Sequence, residues 1–138
     1  MHPMPRNEGA PIWRAVVYAR EAPGHAGRRR LERQVAGLAA QVARQPGWRH
    51  VATYADQAQS GTGPGLARLL ADAPRHFDLV VVDGYGRLSA NRPELAAILD
   101  RLRWAGVGVV VLRPSRARRL AKLVANLALA DLIGEAAR

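Results

Sequence analysis

Hydroxyls and guanidiniums are the groups in this chain with the most capacity for chemistry. Ser60, Thr62, Ser89 and Ser115 stand close to segments that read as strand ends, where a nucleophile could be presented. Arg20 and Arg87 occupy the same kind of place. Two basic clusters add to them: Arg28-Arg29-Arg30, and Arg113, Arg116, Arg118, Arg119 and Lys122. A guanidinium fork matches the oxygens of a phosphate. A hydroxyl aligned among several such cations could carry phosphoryl transfer, which needs a nucleophile and cations around the developing charge. The clusters without a nucleophile can only bind a polyanion through its phosphates. Arg28 to Arg30 open a helix, where the dipole disfavours cations, so they read equally as solvated charge or as a phosphate contact. Gly61-Thr62-Gly63-Pro64-Gly65 has no following Lys and reads as a turn, not as a phosphate loop.

Those residues need elements to position them. Trp13 to Tyr18 reads as a first strand, followed by a loop over Glu21 to Gly27. Leu31, Val35, Leu38 and Val42 then make one face of a helix over Arg28 to Arg44, stopped by Pro46 and Gly47. Trp48 to Tyr54 is a weaker strand, and Gln57 to Gly63 a loop. Pro64 opens a helix over Gly65 to Ala73, as its missing N–H costs nothing in a first turn. Asp78 to Asp83 is apolar without alternation, the pattern of a strand covered on both faces. A loop over Gly84 to Asn91, a helix over Pro93 to Trp104 and a strand over Val107 to Leu112 complete the pattern, with Ser89 expected to cap the helix. The alternation predicts an α/β fold: a single-domain, mainly parallel four-stranded sheet with helices on both faces. Functional groups in such a sheet gather at the strand carboxyl ends.

Composition narrows the setting. The 138 residues suit one domain, and 49% hydrophobic content suits a packed one. With 21 Lys and Arg against 11 Asp and Glu, the net charge of +10 favours nucleic acid or another polyanion as partner. There is no Cys, so disulfides and thiolate metal sites are excluded and a cytoplasmic home is expected. His2, His25, His50 and His76 fall in unrelated segments, so neither metal nor cofactor is expected. No run is long enough to span a membrane. Residues 1–12 read as a flexible tail with no apolar signal region.

The strand-end segments, taken in order, resemble the serine recombinases of the resolvase and invertase kind. Tyr18-Ala19-Arg20 is similar to the family's Tyr-x-Arg, and Leu31-Glu32-Arg33-Gln34 to its Leu-x-x-Gln. Tyr54-Ala55-Asp56 with Ser60-Gly61 resembles Tyr-x-Asp-x-x-x-Ser-Gly, and Pro64-Gly65-Leu66 with Leu69-Leu70 resembles the segment that follows it. Arg87-Leu88-Ser89 resembles the middle of Asp-Arg-Leu-Ser-Arg. The resemblance runs from Trp13 to about Leu112 and implies a resolvase-like fold over residues 13–114, DNA recombination chemistry, and DNA as partner.

The departures from that pattern are severe. The resemblance puts the nucleophilic Ser two residues beyond Arg20, where Ala22 stands. A methyl group cannot attack a phosphodiester. Gly63 replaces an Arg, Gly86 the Asp and Ala90 the second Arg. Tyr18, Arg20, Asp56, Ser60 and Arg87 are therefore expected to be vestigial, and the chain to be a pseudoenzyme. Two other readings stay open: a recombinase with a displaced nucleophile, and a protein-interaction regulator that does not touch DNA.

Beyond Pro114 a long helix is expected over residues 115–138. Leu120, Leu123, Val124 and Leu127 share one side of it, and Leu129, Leu132 and Ile133 fall on nearly the opposite side. A helix that covers only its own domain keeps one stripe. The second stripe is thus expected in a subunit interface, and the resemblance implies a dimerisation helix at this place. The partners expected are DNA, further copies of the chain in a dimer or larger oligomer, and a cognate serine recombinase or another protein. The family's separate DNA-binding module is not expected after Arg138.

Overall fold

The computed structural model describes residues 12–59 and 61–113. The long helix expected over residues 115–138 lies outside them. Strands β1 (Trp13–Glu21), β2 (Trp48–Gln57), β3 (Leu79–Val82) and β4 (Gly108–Val111) form one sheet in the order β2-β1-β3-β4. All three pairings are parallel. Helices α1 (His25–Ala43), α2 (Pro64–His76) and α3 (Arg92–Trp104) make the crossovers, and a short 3-10 turn covers Tyr85–Arg87. The α/β fold read from the alternation is the fold observed.

Side-chain alternation along the strands divides the core in two. Val16, Tyr18, Val80 and Val82 pack with Leu66, Leu69 and Leu70 of α2 and Ile98 and Leu102 of α3. Ala15, Val17 and Val81 pack with Leu38 and Val42 of α1 on the other face. Layers on both faces explain why the central strands β1 and β3 are continuously apolar.

Several boundaries differ from the expected ones. β1 continues three residues past Tyr18 and β2 three past Tyr54, because their pairing persists through Arg20 opposite Asp56 and Glu21 opposite Gln57. α1 begins at His25, so only Ala22-Pro23-Gly24 separates it from β1. Gly24 takes φ 98°, a conformation that needs glycine. α2 passes through Pro74 to His76. β2 looked weak because Trp48, Val51 and Tyr54 repeat every third residue. The register explains this: Ala15 pairs with His50 and Val16 with Ala52, so Val51 is an extra residue in a bulge. Trp48 can then face α1 while Ala52 and Tyr54 face α2. The cap of α3 is Asn91, whose side chain accepts from the Glu94 N–H at 2.9 Å, and not Ser89.

Candidate functional site

The carboxyl ends of β1, β2 and β3 bring Tyr18, Arg20, Ala22, Asp56 and Arg87 together. Parallel register sets Arg20 beside Asp56. Arg87 reaches across from the turn after β3 and donates through Nη1 to the Arg20 carbonyl at 2.7 Å. Asp56 is buried at the start of α2. It accepts from the Tyr18 hydroxyl at 2.7 Å, from the Gly65 N–H at 2.8 Å and from the Leu66 N–H at 2.9 Å. Two of those donors belong to the helix terminus, which otherwise lacks a side-chain cap. A Cβ at Gly63 would lie 2.4 Å from the same carboxylate, so glycine and this placement of Asp56 go together.

Neither arginine is left bare. Arg20 is buried and donates to the carbonyls of Ala58 and Gly61. Gln34 of α1 brackets its backbone, accepting from the Arg20 N–H at 2.9 Å and donating to the Arg20 carbonyl at 3.3 Å. Arg87 pairs with Asp83 at 2.7 Å and with Glu21 at 3.3 Å. The Asp83 contact is the main cause that raises the Arg87 pKa above its ordinary value. Glu21 also binds Arg30 at 3.1 Å and accepts from Gln34 at 3.2 Å. Burial alone would raise the Glu21 pKa, but Arg30 and Arg87 outweigh it and hold the carboxyl below its usual range. Two internal carboxylates thus engage the Arg87 guanidinium.

The Ala22 position is fixed from two sides. Gln57 donates to the carbonyls of Ala22 and Gly24, each at 3.1 Å. Gly27 of α1 packs so close that a Cβ there would lie 1.9 Å from the Ala22 carbonyl oxygen. Ser89, a candidate replacement hydroxyl, is buried and donates to Glu94 at 2.7 Å, so it braces the start of α3. Arg28 and Arg29 are exposed on the first turns of α1. Arg113 donates to the Asp83 carbonyl at 3.1 Å. Ser60, Arg116, Arg118, Arg119, Lys122, Leu129, Leu132 and Ile133 lie outside the described residues. Among the described residues no three His, Asp or Glu side chains gather as metal ligands, and no helix is long and apolar enough to cross a membrane.

The profile of the resolvase N-terminal domain matches residues 15–133. The chain belongs to the resolvase family. Among solved structures, this resolvase domain is similar to the C-terminal catalytic domain of ISC1926 TnpA, an IS607-like serine recombinase. Identity is 28% and the TM-score 0.64, over 71% of this chain and 66% of that one, so it spans slightly less than two thirds of that relative. The corresponding domain of IS1535 TnpA, also IS607-like, is 25% identical with TM-score 0.58, over 89% and 98% of the two chains. A resolvase family site-specific recombinase from Streptococcus pneumoniae, 17% identical with TM-score 0.59 over 88% and 95%, shares the fold. No curated protein matches the chain.

Sequence reasoning found Tyr18, Arg20, Asp56 and Arg87 in this resolvase domain but missed Glu21 and understated Asp83. The one local signal was a carboxylate at a strand end between Arg20 and Ala22; its partners Arg30, Gln34 and Arg87 come from other elements. The two tyrosines that face carboxylates give a pH test. Burial, then Asp56, raises the Tyr18 pKa, and burial, then Asp72 at 2.6 Å, pushes Tyr54 up to about 12. A folded pKa above the unfolded one means stability is intact below the ordinary tyrosine value of about 10 and is lost as pH rises past it. Thermal melts should show that loss between about pH 10 and 12. Tyr18→Phe should flatten it; an unchanged alkaline loss would contradict the assignment.

Proposed function

We propose that this chain is a catalytically silent serine-recombinase-like protein of the cytoplasm that acts by binding. Its partners are duplex DNA, a second copy of itself, and a cognate recombinase. The observation that carries this reading is the state of the Arg87 guanidinium, occupied by Glu21 and Asp83 beside an alanine at the expected nucleophile position. Phosphoryl transfer needs cations free to meet the phosphate and a nucleophile aligned to it. Ala22, Gly63, Gly86 and Ala90 remove the nucleophile and three of the groups around it. A displaced nucleophile finds little support, since Ser89 is committed to Glu94.

DNA contact falls to cations away from that centre. Arg28 and Arg29 are exposed, whereas Arg30 is engaged by Glu21. Arg113 starts the second cluster, which continues through Arg116, Arg118, Arg119 and Lys122. Contacts of this kind release counterions, so affinity should fall steeply with salt and vary little with base sequence. Anisotropy titrations of labelled duplex at several salt concentrations test this. Arg116, Arg118 and Arg119 changed to Ala should flatten the salt slope by roughly 0.9 per lost phosphate contact. No duplex binding at low salt would remove DNA from the proposed partners and leave a protein-binding regulator.

Assembly rests on Leu129, Leu132 and Ile133, which we place in the subunit interface. Leu132→Asp with Ile133→Asp puts charge where apolar surface would be buried. Sedimentation should show a folded monomer for this variant and a dimer or larger species for the unmodified protein. An unmodified protein that is monomeric at high concentration would contradict the interface.

A further inference from the structure

In a sheet of parallel strands joined by helical crossovers, every helix runs back against the strands. The helix C-termini therefore gather at the pole where the strands begin, opposite Arg20 and Arg87. Arg75 ends α2, and Arg101, Arg103 and Trp104 end α3. The two helices pack side by side on the same face. Hydrogen bonds link the end of α2 to the starts of the neighbouring strands. Arg14 Nη1 donates to the Arg75 carbonyl at 3.3 Å, the Asp78 N–H to the Arg14 carbonyl at 2.8 Å, and the Gly108 N–H to the Asp78 carbonyl at 2.9 Å.

Trp104 is 85% exposed, the most exposed large apolar side chain among the described residues. It follows buried Leu102 by two positions, roughly 200° around the helix, so it faces away from the core that Ile98 and Leu102 fill. Helix dipoles favour cations at C-termini, which gives Arg75, Arg101 and Arg103 a reason for their places. They give none for an exposed indole. Among the described residues, the ion pairs engage Arg14, Arg30 and Arg87 and none engages Arg75, Arg101 or Arg103. Asp78 is committed to Arg14, which leaves Asp100 as the exposed carboxylate on the last turns of α3.

An exposed aromatic face at a pole whose cations are unpaired among the described residues is the equipment for binding unpaired bases: the ring stacks on a base and the cations follow the backbone. A duplex offers less, since its base faces cover one another. We propose that this pole binds single-stranded nucleic acid, with a base stacked on Trp104 and neighbouring phosphates held by Arg101, Arg103 and Arg75. The surface lies at the opposite end of the sheet from Arg28, Arg29 and Arg113, and either proposal can fail without the other.

The test uses the full chain and two labelled probes, an oligothymidylate of roughly 12 nucleotides and a duplex of the same length. Trp104→Ala should weaken single-strand binding about tenfold and leave duplex binding unchanged, while Trp104→Phe retains most of it. Arg101→Ala with Arg103→Ala should lower the single-strand salt slope by about 1.4, at about 0.7 per phosphate. Single-strand affinity unmoved by Trp104→Ala would overturn the proposal. So would a smaller assembly in sedimentation for Trp104→Ala, which would assign the indole to a contact between copies.

Discussion

Ala22→Ser will leave the protein unable to cleave or rejoin recombination-type DNA. The hydroxyl would stand at the end of β1, but Arg87 is already engaged by Glu21 and Asp83. Arg20 is spent on the carbonyls of Ala58 and Gly61. Removing a single donor from a phosphate or oxyanion site typically costs about 100- to 1000-fold in rate. Three groups around this phosphate are missing, so the combined loss puts turnover out of reach of ordinary assays. Restoring them is not equally easy. A Cβ at Gly86 meets nothing within 4 Å, so Gly86→Asp starts without a clash. Gly63→Arg is not, because its Cβ would lie 2.4 Å from the Asp56 carboxylate. The return path to catalysis therefore requires Asp56 to move, and Asp56 caps α2. Detectable strand cleavage by Ala22→Ser alone, on a denaturing gel, would show that the internal carboxylates do not block the site.

Asp56→Ala will lower stability by about 3 kcal/mol. Loss of a helix N-cap costs about 1 kcal/mol, and a buried hydroxyl left without its acceptor costs about 2 kcal/mol more. Both happen here, since Asp56 accepts from two N–H groups of α2 and from buried Tyr18. For a domain of this size the melting temperature should fall by about 12 °C. Tyr18→Phe should cost less, about 1 kcal/mol, because Asp56 keeps both backbone donors. A melting temperature for Asp56→Ala within about 3 °C of the unmodified protein would show that Asp56 is not the cap it forms in the structure.

These two expectations show what the sequence could and could not convey. The order of elements was legible because periodicity is local: four residues per face for α1, unbroken apolar runs for β3 and β4. The family resemblance named Arg20 and Arg87, which meet across the sheet end although 67 positions apart. The bulge at Val51 hid β2, since one extra residue breaks the two-residue period by which a strand is recognised. Asp56 read as a vestigial site residue, and its capping of α2 depends on β2 ending beside Gly65, which no spacing conveys. Glu21 was overlooked for the same reason. Its partners Arg30, Gln34 and Arg87 come from three elements, and only the folded sheet assembles them.

The most direct test of catalytic silence is covalent trapping on a nicked recombination-type duplex, with binding followed on the same samples. A serine recombinase that cleaves such a substrate remains attached to the DNA and migrates as an adduct on a denaturing gel. Salt-sensitive binding of the duplex with no adduct is expected, both for the unmodified protein and for Ala22→Ser. A covalent adduct formed by the unmodified protein would contradict catalytic silence, because it would require a nucleophile other than the missing serine.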